Sequence, residues 1–89
     1  MRSRVTAGFR RSYAELPSET QRAAERAFER VQRNPRHPSL QLKRVHTARS
    51  IVSARITDQY RALGLASEDE IAWFWIAPHH VYDKILKRL

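Results

Sequence analysis

Ile51-Val52-Ser53-Ala54-Arg55-Ile56, Tyr60-Arg61-Ala62-Leu63-Gly64-Leu65 and Ile71-Ala72-Trp73-Phe74-Trp75-Ile76 follow one another in the second half of the chain. These runs are rich in the β-branched, aromatic and aliphatic side chains that suit a pleated, half-buried surface. The segments between them, Thr57-Asp58-Gln59 and Ala66-Ser67-Glu68-Asp69-Glu70, are too short for a parallel crossover, so the strands should be antiparallel neighbours. Upstream, Leu40, Leu42 and Arg44 alternate with Gln41, Lys43 and Val45, which predicts one more strand before the connection His46-Thr47-Ala48-Arg49-Ser50. Strict pleating of the last strand would put Trp73 and Trp75 on one side with Ile71, and Phe74 on the other. Both tryptophans read as core, because no basic residues surround them as they would a base-stacking platform.

Working outward toward the N-terminus, Val5 to Tyr13 opens as a short strand and turns at Gly8 into a helical segment, with Phe9 and Tyr13 four apart on one face. That helix ends by Pro17. Ser18-Glu19-Thr20-Gln21 has the capping-box pattern, in which the first and last side chains satisfy each other's backbone donors. Ala24, Ala27, Phe28 and Val31 then recur at helical spacing until Asn34-Pro35, where proline disfavours helix in the residue before it. Arg22, Arg26, Arg30 and Arg33 share another face of the same helix. Glu19, Glu25 and Glu29 flank them at pairing distance, so the stripe reads as an ordinary solvated face. Asn34-Pro35-Arg36-His37-Pro38-Ser39 is a loop. After Pro78, His79 to Leu89 reads as a short final helix with Asp83 and Lys84 on its polar side and Ile85, Leu86 and Leu89 turned inward. Two helices, a meander and a last helix predict an α+β domain over residues 1–89: two N-terminal antiparallel helices on a small antiparallel sheet of three to four strands, with the other sheet face free for ligand.

Seventeen Lys plus Arg against nine Asp plus Glu give a net charge of +8 on 89 residues. Such an excess favours a polyanionic partner, since each cation that meets a phosphate releases condensed counterions. Arginine outnumbers lysine fourteen to three, which favours planar, bidentate phosphate contacts over diffuse attraction. An acidic protein is the other partner that charge alone would fit. Without cysteine there is no disulfide, thiolate ligand or cysteine nucleophile. The four histidines show no metal-ligand spacing, so neither a metal nor another cofactor is expected. No run reaches the ~20 apolar residues of a membrane span and no signal-like stretch opens the chain. The expectation is a cytoplasmic protein.

Tyr13, Leu16-Pro17, the loop Asn34 to Leu40, Lys43, Arg55-Ile56, Tyr60-Arg61-Ala62-Leu63, Trp73 to Ile76, and His79 ahead of Tyr82-Asp83 resemble, in this order, the RelE/ParE superfamily of type II toxins. The resemblance implies an antitoxin partner that covers a basic concave face. It also implies one of two targets: messenger RNA on the ribosome, cut by a metal-independent endoribonuclease of RelE type, or DNA gyrase, inhibited by a toxin of ParE type. A non-catalytic module that binds nucleic acid or antitoxin is the remaining alternative. In the RNA-cutting branch the ribose 2′-hydroxyl attacks the adjacent phosphate, which needs a proton acceptor, a cation for the developing charge and a donor for the leaving oxygen. Carried onto this sequence, the resemblance makes Arg61 and Tyr82 catalytic candidates and Arg61, Arg55 and Lys43 the RNA-binding ones; His79 joins the catalytic set because an imidazole is suited to proton transfer. It departs from RelE where that toxin has a lysine pair, for Ser53-Ala54-Arg55 stands there instead. Each candidate also has a structural role open to it: an ion pair of Arg61 with Asp58 or Glu70, a helix cap for His79 and a place in the core for Tyr82.

Overall fold

The computed structural model describes residues 1–46 and 49–88. Strand β1 (Arg2–Val5) leads into helix α1 (Ala7–Ala14) and helix α2 (Ser18–Arg33), followed by strands β2 (Lys43–Arg44), β3 (Ile51–Arg55), β4 (Tyr60–Ala66) and β5 (Glu70–Pro78), and helix α3 (His79–Arg88). The five strands lie in the order β1-β5-β4-β3-β2. The meander β2 to β5 is antiparallel throughout, as its short turns require. β1 is the addition to the expected three or four strands: it pairs parallel with β5, from Arg2 opposite Glu70 to Val5 opposite Trp73. The short strand expected to open at Val5 and turn at Gly8 lies earlier, at Arg2–Val5, and α1 already begins at Ala7; an edge strand needs little apolar surface to pair, so its mostly polar residues leave its extent unmarked.

α1 and α2 cover one sheet face. Phe9, Ala24, Ala27 and Val31 from the helices meet Ala54, Ala62, Ile71, Trp73 and Ile76 from the strands, with Phe28 packed against them. The Phe28 ring stacks on Trp73 at 4.9 Å and lies 5.5 Å from Phe9, so it anchors the helix to the core although it is only half-buried. The smaller second cluster, on the opposite face, joins Ile51 and Leu63 to Tyr82 of α3, with Val45, Phe74, Trp75, Ile85 and Leu86 around them. α3 thus lies over part of the face expected to be free; Leu89, expected to turn inward with it, falls outside the described residues.

A bulge in β5 divides its aromatics differently from strict alternation. Gly64 pairs with Trp73 and Leu63 with Trp75, so Phe74 is the extra residue. Trp73 therefore joins the α1/α2 core, whereas Phe74 and Trp75 both turn toward α3. Gly64 makes room for this arrangement: a Cβ there would stand 2.4 Å from Ile71 Cγ2 and 2.8 Å from Trp73 Cε3. The buried Trp73 indole donates to Ser3 Oγ of β1 at 2.5 Å, which ties the edge strand to the core.

Two local expectations also change. Ser18 opens α2, but Pro17 occupies the cap position and no side chain caps the helix. Gln21 instead sends its Nε2 to the Tyr13 carbonyl at 2.9 Å, and Tyr13 Oη donates to Glu25 at 2.9 Å, so the capping-box residue joins α1 to α2. The strand expected from Leu40 shrinks to Lys43–Arg44. A 3-10 turn occupies Pro38–Leu40, and Gln41 takes a left-handed conformation at φ 44°, which breaks the alternation.

Candidate active site

Strand register gathers the expected phosphate-binding residues. Arg55 at the end of β3 lies directly opposite Arg61 at the start of β4, and directly opposite residues share a sheet face. Lys43 lies opposite Ser53, two residues from Arg55 on the same side, and Arg61 lies opposite Ala77, two residues before His79. Lys43, Arg55, Arg61 and the first turn of α3 therefore belong to the face away from α1 and α2. The hydrogen bond from His79 N to Gln59 O, 2.5 Å, holds that first turn against the β3–β4 turn.

The two arginines are held in different ways. Arg55 Nη2 pairs with Asp58 Oδ1 across the turn. This hydrogen bond, then the Arg55 charge and to a lesser extent that of Arg61, hold the Asp58 carboxyl below the usual carboxylate range. Arg61 makes neither of the ion pairs open to it from the sequence. Its Nη1 donates to the Thr57 carbonyl at 2.9 Å and approaches that of Tyr60 at 3.3 Å, while Glu70 pairs with Arg4 at 3.3 Å. Backbone carbonyls fix one side of the Arg61 guanidinium without neutralising its charge, and its remaining donors stay available to an anion.

His79 is exposed and Tyr82 is buried, with 7% of its surface accessible. Their rings lie 5.9 Å apart on one side of α3, as their i, i+3 spacing predicts. Tyr82 packs on Ile51 and Leu63, which makes it the floor beneath His79; a buried ring has no free face on which a nucleotide could stack. His79 borders an open groove of about 610 Å³ shared with Asp58, Gln59, Tyr60, His80 and Asp83. The contributions of Asp58 and His80 to this groove were not foreseen; the i, i+3 spacing of Arg55 and Asp58 in the short β3–β4 turn was the available signal for the first. Among the described residues, no group of three or more His, Cys, Asp or Glu gathers to hold a metal ion, and no helix is long and apolar enough to cross a membrane.

The fold has close parallels among solved toxins. The chain superposes on the toxin–antitoxin complex RelBE2 from Mycobacterium tuberculosis with a TM-score of 0.70 at 23% identity, over 88% of this chain and 96% of that one. For the RelB–RelE complex from Methanococcus jannaschii the values are 0.74 and 14%, over 91% and 96%. For YafQ from E. coli strain BL21(DE3) they are 0.73 and 6%, over 92% and 98%. No curated protein matches the sequence. These likenesses define the fold as that of a small RelE-like toxin. The model of the ParE-like toxin domain matches residues 18–84, and the chain belongs to that family within the RelE/ParE superfamily of type II toxins.

Proposed function

We propose that the protein is the toxin of a type II toxin–antitoxin pair and acts in the cytoplasm as an endoribonuclease on messenger RNA held by the ribosome. The observation that carries this reading is the register pair Arg55–Arg61 on the sheet face that leads, through Ala77 opposite Arg61, into the first turn of α3, where exposed His79 borders an open groove. In the proposed step the 2′-oxygen attacks the adjacent phosphorus, the P–O5′ bond breaks, and the products are a 2′,3′-cyclic phosphate and a 5′-hydroxyl. His79 accepts the 2′-hydroxyl proton as the general base, the task for which imidazole is the commonest side chain. Arg61, assisted by Arg55 once phosphate displaces Asp58, meets the charge that develops on the phosphorane. Lys43 holds a flanking phosphate, the leaving oxygen takes its proton from solvent in the open groove, and Tyr82 positions His79 from beneath. No step calls on a metal or another cofactor.

The partner is a cognate antitoxin. This is supported by the toxin–antitoxin complexes among the structural parallels and by the net charge of +8, which an acidic segment would neutralise. A gyrase-directed toxin is the second reading, favoured by the ParE-like family match and by the lack of lysine between Lys43 and Lys84. Purified protein added to a translating extract decides between them: cut messenger RNA with unimpaired gyrase supercoiling is expected. Intact messenger RNA with blocked supercoiling would overturn the nuclease reading.

A further inference from the structure

The carboxylates of α2 do not neutralise its arginine stripe as their spacing suggests. Glu29 pairs with Arg33 at 3.0 Å, but Glu25 accepts the Tyr13 hydroxyl instead. Glu19 makes no ion pair with the stripe among the described residues. Arg30 Nη1 donates to Ser39 Oγ at 3.1 Å, a neutral partner that leaves its charge uncompensated. Arg22 and Arg26 are exposed.

This stripe is continuous with the groove at His79. Asp58, Gln59 and Tyr60 line that groove and also a second one, about 410 Å³, with Glu19, Thr20 and Arg26 on its far wall. Arg26 in turn lines a third, about 370 Å³, with Arg30, Arg33 and His37. The three recesses form one track from the first turn of α3, over the β3–β4 turn and along α2. From Arg22 to Arg33 the stripe alone runs about 16 Å at 1.5 Å per residue. Of the carboxylates along the track, Glu29 is already occupied by Arg33. Half-buried Tyr60 stands where the first two recesses meet.

We infer that this track carries the backbone of a single-stranded RNA beyond the cleaved phosphate, with Arg26 and Arg30 on its phosphates and Tyr60 against a base. Guanidinium groups spaced along a groove with an aromatic ring among them are what a flexible polyanion with π-faced bases needs, and they require no particular sequence. The inference rests on the proposed RNA-cleaving function.

The test uses full-length His79→Ala protein, so that RNA survives, and fluorescence anisotropy with a trinucleotide and an RNA of about twelve nucleotides, within the usual range of single-strand sites. Arg26→Ala with Arg30→Ala should weaken the longer RNA roughly tenfold at low salt and reduce its log–log salt slope by about 1.4, at about 0.7 per lost phosphate contact. The trinucleotide should bind unchanged. The charge-matched control, Arg10→Ala with Arg11→Ala on α1, should leave both ligands unaffected, and circular dichroism should show all variants folded. Equal losses in the two double variants, or none in either, would overturn the track. Displacement of the long RNA by polyglutamate at equal charge concentration would instead assign the stripe to an acidic protein. If the trinucleotide binds equally well with or without Arg61, the cleavage site itself is misplaced and the functional reading fails first.

Discussion

The face of the sheet beneath α1 and α2 and the face that carries α3 are built from the same strands, yet they do opposite work. The first buries Phe9, Ala24, Ala27 and Val31 against Trp73 and its neighbours, with no charged side chain in the cluster. The second has a smaller hydrophobic cluster, with Ile51, Leu63 and Tyr82 buried at its center, and presents Lys43, Arg55 and Arg61 beside it. Burial supplies most of a small domain's stability, so the first face holds the fold and leaves the second able to keep like charges together. The β5 bulge makes this division possible, since it sends one tryptophan to each face.

The largest effect should come from the first face. Trp73→Ala should cost about 3–5 kcal/mol by urea unfolding, the usual loss for a buried aromatic, whereas Trp75→Ala on half-buried ground should cost less. Equal losses would mean that the two faces share one core. On the second face, His79→Ala should lower RNA cleavage by roughly 10² to 10⁴, the range for losing a general acid or base, with the unfolding midpoint little changed. A loss of activity that tracked a loss of stability would erase the contrast. Gly64→Ala tests the seam between the faces: its Cβ would press on Trp73 and Ile71 and should destabilise by about 1–3 kcal/mol, as overpacking does.

The elements that sequence revealed best were those whose pattern is set by burial. The helical spacing of Ala24, Ala27, Phe28 and Val31 and the β-branched run Ile51 to Ile56 correspond to α2 and β3 because each must bury a face. What stayed hidden was set by partners distant in sequence. The extent of β1 and its parallel pairing depend on the edge that β5 offers, and the bulge at Phe74 depends on a glycine in the neighbouring strand. At the site, the register that pairs Arg55 with Arg61 follows from the short turn and was implicit in the sequence. Which carboxylate each arginine would take was not, because several lay within reach and backbone carbonyls captured Arg61 instead.

Smaller effects sharpen the same contrast. Tyr82→Phe should keep both stability and most of the activity, while Tyr82→Ala should cost roughly 3 kcal/mol as a buried aromatic truncated. If Tyr82→Phe alone abolished cleavage in a folded protein, the hydroxyl would belong to the chemistry and the ring would be more than a floor. Between α1 and α2, burial and then the Glu25 hydrogen bond raise the Tyr13 pKa above its usual 10.0. The folded state thus holds this proton more tightly than the unfolded one. The associated stability is complete below the unfolded pKa and is lost as pH rises through the folded value. Tyr13→Phe should flatten the alkaline end of the denaturation midpoint against pH; an unchanged slope would show that other groups govern it. Arg22→Ala, off the open face, should reduce cleavage less than Arg61→Ala, measured at one salt concentration.

The most direct test of the account is the chemistry of the cut ends when messenger RNA is cleaved in a translating extract charged with the purified protein. Attack by the 2′-oxygen predicts 2′,3′-cyclic phosphate on the upstream fragment and a 5′-hydroxyl on the downstream one, both diminished together by His79→Ala and by Arg61→Ala in folded protein. A 5′-phosphate on the downstream fragment, or messenger RNA left whole by protein that still arrests growth, would contradict it.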